Sequence, residues 1–159
     1  MERYGLSHIK RWESTVSQPW LDRYIEAWLF HPQAGGEGGE KALIALLAFM
    51  SDDVRYEDVP TGAVFVGHDG IRQMGAGALE MAEDMSFEIG SRVAGQGSYA
   101  FETICGGTNT GAIGPLPGTG GAFTFRGISI GEVSSAGLVT SQRDYWDLAG
   151  LLGQLGVSM

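Results

Sequence analysis

The sequence predicts a single α+β domain. Helical periodicity comes mainly first and strand alternation mainly last, without the regular strand–helix alternation of a parallel sheet. Sixteen aromatic residues within a 43% hydrophobic composition supply a core for 159 residues. Thirteen of the 26 glycines lie between Gly90 and Gly137, among the strand signals, so they read as bends, bulges and close backbone contacts.

The elements follow in order. Trp20, Leu21, Tyr24, Ile25, Trp28 and Leu29 form one helical stripe between Pro19 and about Phe30, with Pro19 suited to the first turn. HPQAGGEGGE breaks the pattern, and a second helix is expected from about Glu40 to Met50. Ser51-Asp52-Asp53 interrupts the apolar pattern, VRYEDVP reads as a short extended segment ended by Pro60, and AVFVG as another strand. Asp69 is placed to cap a helix carrying Ile71, Met74, Ala78, Met81 and Met85, and the period changes from helix to strand near Asp84. Tyr99, Phe101, Thr103 and Cys105 alternate against Ala100, Glu102 and Ile104 in the next strand. GGTNTGAIGPLPGTGG then reads as a long hairpin connection. Phe123, Phe125, Ile128 and Ile130 mark a further strand, with Gly127 as a bulge or close approach; the last strand runs from about Leu138 to Trp146. Leu148, Leu151, Leu152 and Leu155 predict a tail helix.

Composition narrows the function classes. Ten Lys and Arg against 19 Asp and Glu give a formal charge of −9, without a localised basic patch, which argues against nucleic acid. The lone Cys105 forms no intrachain disulfide and fits a reducing, cytoplasmic compartment and a buried packing role. MERYGLSHIKRW lacks an apolar signal region. ALIALLAFM is far shorter than the roughly 20 residues of a membrane span, so no membrane partner is expected. His8, His31 and His68 have no ligand spacing, and GTGG lacks both the phosphate-loop lysine and a dinucleotide setting; no metal and no cofactor are assigned.

The polar groups that invite chemistry are two aspartates in aromatic, strand-like contexts, Asp58 in YEDVP and Asp144 in RDYWD. Strand alternation puts Tyr56 and Asp58 on one face, and Gln142, Asp144 and Trp146 on one face. In an apolar cavity either carboxyl would be raised in pKa and suited to proton transfer, with Gln142 as a donor to an oxyanion or an orienter of water. The bland alternatives are a strand-end acid for Asp58 and a cap of the tail helix for Asp144. Tyr24 carries a phenol able to donate to an enolate or carbonyl oxygen, or is a structural tyrosine. Trp20, Trp28 and Met74 line either a pocket or the core, and Glu102 is a lower-ranked pocket residue.

In LDRYIEAW, the SDDVRYEDVP to GHDGIRQM passage, GTNTG before a proline-rich connection, and RDYWDLAGLLGQLG, the chain resembles the SnoaL-like polyketide cyclases of the wider nuclear-transport-factor-2-like, or ketosteroid-isomerase-like, superfamily. The resemblance extends from Trp20 onward and implies residues 1–18 as an N-terminal extension before a domain over residues 19–159. It further implies a cone-shaped α+β barrel in which a strongly curved mixed sheet packs against N-terminal helices around a hydrophobic pocket. By this resemblance Tyr24 matches the isomerase-type phenol, Asp58 the proton-shuttling carboxylate and Asp144 a late-strand catalytic acid. A homodimer and a hydrophobic small-molecule substrate follow from the same likeness. The implied activity is cofactor-independent cyclisation or isomerisation of a polyketide-like or cyclic carbonyl compound. Two alternatives remain: epoxide opening, as in limonene-epoxide-hydrolase-like members, and a noncatalytic binding or assembly domain. YAFETIC carries neither the arginine nor the second aspartate of such hydrolases, and FTFRGISIGEV lacks the histidine of some cyclase-like members.

Overall fold

The structure, a computed structural model, describes residues 16–30 and 36–157. His8, His31 and most of the expected N-terminal extension lie outside these residues. Val16 is buried in the main core, and its N–H donates to the carbonyl of Gly95 at 2.9 Å.

Helix α1 (Gln18–Phe30) starts where the Ser17 hydroxyl accepts from the Trp20 N–H at 3.3 Å, with Pro19 in its first turn. Its stripe of Leu21, Tyr24, Ile25 and Trp28 is buried. Helix α2 (Gly36–Leu47) begins before the expected Glu40 and stops short of Met50. Strand β1 (Met50–Asp58) runs through Ser51-Asp52-Asp53, which interrupts the apolar pattern without ending the strand because Asp52 and Asp53 point to solvent. A turn leads into β2 (Ala63–Val66) and directly into α3 (Gly67–Met81). Asp69 does not cap α3: the N-cap is Val66, without a side-chain bond, and Asp69 lies in the first turn, where its charge favours the positive helix end. Strands β3 (Ser86–Ala94), β4 (Ser98–Thr108), β5 (Ala122–Val133) and β6 (Val139–Trp146) complete the sheet before α4 (Leu148–Gln154). Asp147, not Asp144, caps α4, accepting the Gly150 N–H at 2.8 Å.

The six strands form one mixed sheet in the order β2-β1-β6-β5-β4-β3, with β1 and β6 parallel and every other pair antiparallel. Register sets the inner face in rows across the sheet. Tyr99, Gly131, Gln142, Tyr56 and Phe65 form one row; Phe101, Ser129, Asp144 and Asp58 form the next; Thr103, Gly127 and Trp146 the one after. The main core fills the side nearest α1 and α2, and a second cluster around Ala82, Met85, Cys105, Phe123 and Leu151 closes the end under α4. Between them the sheet leaves a cavity roofed by α3. No helix among the described residues is long and apolar enough to cross a membrane.

Two glycines in β5 make this interior. Gly127 pairs regularly with Thr103 and Trp146, so it is a close approach and not a bulge; an added Cβ would lie 3.1 Å from both Thr103 Oγ1 and the Tyr145 carbonyl. Gly131 lies beneath the Tyr99 ring, where a Cβ would fall 2.3 Å from the ring carbon that bears the hydroxyl. Only a residue without Cβ lets Tyr99 on β4 reach across β5 to β6.

Candidate active site

The cavity has a volume of about 410 Å³. Trp28, Tyr56, Phe65, Met74, Phe125 and Trp146 make much of its wall, and α3 contributes the roof from Met74 to Met81. Ala112, Ile113 and Gly114 of the long hairpin connection also border it. That connection is held in shape by buried Asn109, whose Nδ2 donates to the Gly111 carbonyl at 2.7 Å and whose Oδ1 accepts the Thr119 N–H at 2.9 Å.

Asp58 and Asp144 both line the cavity, and they are register partners on the parallel strands β1 and β6. Neighbouring strands lie about 4.8 Å apart, so two such side chains on one face are held side by side. Trp146 Nε1 donates to Asp58 Oδ1 at 2.7 Å. Burial raises the Asp58 carboxyl above its ordinary value, against the lowering effect of the hydrogen bonds from Trp146 and Thr61.

Asp144 sits deeper and ends a chain of hydrogen bonds. Tyr24 and Tyr99 donate their hydroxyls to Gln142 Oε1 at 2.5 and 2.7 Å, and Gln142 Nε2 donates to Asp144 Oδ1 at 2.9 Å. Tyr56 donates to Asp144 Oδ2 at 2.9 Å, and Ser129 donates as well. The donor inventory fixes the Gln142 amide, because a carboxylate only accepts, so the NH2 must face Asp144 and the oxygen must face the phenols. Burial pushes the Asp144 carboxyl up to about 6; the bonds from Ser129, Tyr56 and Gln142 oppose that rise, and the nearby Asp58 charge adds to it. A carboxylate has about four acceptor positions and three donors are placed here, which leaves room for a substrate proton. Burial also raises all three phenols, Tyr24, Tyr56 and Tyr99, so they stay protonated donors.

The ten residues singled out in the sequence divide into two groups. Asp58, Asp144, Tyr56, Trp28, Trp146 and Met74 line the cavity. Tyr24 is fully buried behind Gln142 and does not line it, because its hydroxyl is spent on the amide. Gln142, 1% exposed, acts on Asp144 from behind the wall and is likewise not a lining residue. Trp20 stacks on Tyr24 at a centroid distance of 5.4 Å and packs against Tyr99 and Phe49 on the far side of the network. Glu102 points to the outer face, where it accepts the Ser91 N–H at 3.0 Å and is exposed. Tyr99 and Ser129 are the site groups not singled out beforehand. Tyr99 was on the apolar alternation, but its reach depends on the β4–β5–β6 register.

Replacing Gln142 by Leu orphans the Tyr24 and Tyr99 hydroxyls and one bond to Asp144, so urea unfolding should show a loss of about 2–4 kcal/mol. Cys105 is 1% exposed, and burial pushes its thiol up to about 12. Its reaction with a disulfide reagent at pH 7.5 should be about 10²–10³-fold slower in the folded protein than in urea. Among the described residues no group of three or more His, Cys, Asp or Glu is arranged to hold a metal ion.

A curved mixed sheet bent around an apolar cavity, with helices packed on its open side, is the ketosteroid-isomerase-like or NTF2-like fold. A protein of that fold from Catenulispora acidiphila, in complex with trimethylamine, matches with a TM-score of 0.68 and 21% identity over 85% of this chain and 93% of its own. TsrD from Streptomyces laurentii matches with a TM-score of 0.76 and 22% identity over 90% and 99%. A protein classed as a SnoaL-like polyketide cyclase from Jannaschia has a TM-score of 0.72 and 14% identity over 91% and 99%. The chain belongs to the SnoaL-like polyketide cyclase family, whose model matches residues 37–155. No curated protein matches it by sequence.

Proposed function

We propose that the chain is a cofactor-independent acid/base enzyme that removes an acidic proton from a carbon beside a carbonyl group of a hydrophobic, polyketide-like or cyclic compound. The enolate then closes a ring by an intramolecular aldol step or returns the proton at another carbon. The observation that supports this reading is the side-by-side placement of Asp58 and Asp144 in an apolar cavity, with Asp144 clamped by Gln142, Tyr56 and Ser129 and its carboxyl near 6.

In this mechanism Asp144 is the base. A carboxyl close to the working pH combines a useful ionised fraction with useful basicity. As Asp144 takes the carbon proton it loses its negative charge, and the Tyr56 hydroxyl, which also faces the cavity, is released to donate to the enolate oxygen. Asp144 then returns the proton to the new alkoxide or carbon, so one turnover is proton-neutral. Tyr24, Tyr99 and Gln142 act as positioning residues through Asp144.

Two experiments test this. In D2O, a panel of cyclic ketones and β-dicarbonyl compounds should exchange the proton at the carbon beside the carbonyl, with ring closure or double-bond migration seen by product analysis. Diol formation from epoxides would instead favour epoxide opening, and tight binding of intact ligands without exchange would favour a binding domain. For the active substrate, kcat/KM should rise with pH and level off through an inflection near 6, because the ionised form of Asp144 is the base. A profile that falls through the same region overturns the assignment.

A further inference from the structure

We infer that the ligand of this cavity carries a positively charged nitrogen, seated against Asp58 and the aromatic wall formed by Trp146 and Phe125. The inference rests on the carbonyl-substrate reading above and narrows its substrate class.

Its first support is an imbalance of charge. Among the described residues Asp58 and Asp144 are the only carboxylic acids that line the cavity, and no Arg, Lys or His lines it. The arginines that form ion pairs are engaged elsewhere, Arg55 with Glu57, Arg72 with Glu40 and Arg92 with Asp22. Two carboxyls thus share an apolar cavity with only neutral donors around them. Unpaired charge in such surroundings is costly, and a cation that arrives with the ligand relieves it.

The second support is the chemistry of the wall. Trp146 gives its N–H to Asp58, which fixes the indole beside the carboxylate. Phe125 lies 4.9 Å from that indole, and Tyr56 packs between Trp28 at 5.7 Å and Phe65 at 6.0 Å. Aromatic faces around a carboxylate attract an alkylated ammonium, and the attraction grows when water is excluded. A cavity of about 410 Å³ accommodates such a group together with a hydrophobic body. The formal charge of −9 draws cations toward the protein at long range.

This arrangement also divides the work of the two carboxyls. Asp58 holds the cation, while Asp144, clamped by its donors, exchanges the carbon proton. The wall offers no positive side chain to the developing enolate, so the ligand's own nitrogen supplies the countercharge.

Benzyltrimethylammonium is the probe, because its charge does not change with pH, and neopentylbenzene is its uncharged isostere. Binding is followed by tryptophan fluorescence and ligand-observed NMR at pH 7.5. The ammonium should bind the native protein at least tenfold more tightly than the isostere. Asp58→Asn, checked for an unchanged fold by circular dichroism, should remove that advantage while changing the isostere less than twofold. Equal affinity of the two probes for the native protein, or unchanged ammonium binding by the Asp58→Asn variant, overturns the inference. Asp144→Asn separates it from the catalytic reading: carbon-proton exchange should vanish while ammonium preference persists. Ammonium preference without exchange in any substrate would sink the catalytic reading alone, and exchange with no ammonium preference would sink this one alone.

Discussion

Asp144→Asn is expected to abolish turnover and at the same time make the protein harder to unfold above pH 6. Without a carboxylate at the end of the Gln142 clamp no group of matching basicity remains at that position, and loss of a general base costs about 10²–10⁴-fold in rate. The gain in stability follows from linkage. Burial raises the Asp144 carboxyl from its ordinary 3.8 to about 6 in the folded protein, so between those values the folded state binds more protons than the unfolded one. Its favourable contribution is complete below about pH 4 and is lost as pH rises through 6. Asparagine carries no charge to desolvate, and it retains one acceptor for Gln142 Nε2 and one donor for the Tyr56 oxygen, whose hydroxyl rotates to suit. The variant should therefore be more stable by about 1–2 kcal/mol at pH 7.5 and by nothing at pH 4, since solvent reaching the cavity screens part of the carboxylate's cost. Urea unfolding at the two pH values checks the difference, and equal effects at both would show that the charge is not the cause.

Gly131→Ala is expected to be among the most destabilising single-methyl additions in the sheet. The new Cβ would stand 2.3 Å from the Tyr99 ring and its hydroxyl oxygen, far inside contact distance. The ring cannot yield without leaving Gln142, so strain from overpacking, about 1–3 kcal/mol, adds to a lost buried hydrogen bond of about 1–2 kcal/mol. The expected total is about 3–4 kcal/mol. Activity should fall as well, because Gln142 then has only Tyr24 to hold its amide toward Asp144. Adding Tyr99→Ala removes the obstacle, so the double variant should be less destabilised than the sum of the two single variants by at least about 1 kcal/mol. Simple additivity would mean that the two residues do not meet as described.

Much of the fold was legible because local periodicity and burial agree. The stripe from Trp20 to Leu29 is a helix with a buried face, and the alternation of Tyr99, Phe101, Thr103 and Cys105 is a strand whose inward side those residues occupy. Three of the four passages that resemble SnoaL-like cyclases fall in the span the family model matches, residues 37–155, while LDRYIEAW precedes it. Local signals misled where polarity and element boundary part company. Asp52 and Asp53 looked like a break, yet β1 continues through them with both side chains exposed, and Asp69 looked like a cap although Val66 takes that place. Glu102 shows the limit of reading a strand whose two faces both carry apolar residues: alternation separates the faces without saying which is inside.

Local periodicity alone carries that helical signals come mainly first and strand signals mainly last, that half of the glycines fall among the later strands, and that Tyr56 shares a face with Asp58 as Gln142 shares one with Asp144. Those relations lie within single elements, where periods of 3.6 and 2 are fixed by backbone geometry. Tertiary packing sets β1 and β6 side by side with Asp58 opposite Asp144, and brings Tyr24 and Tyr99 together on one amide oxygen. It also decided that Tyr24 stands behind the cavity wall instead of in it. Register between strands distant in sequence, and the missing Cβ that lets one side chain cross another strand, arise from packing across the sheet, which no window along the chain contains.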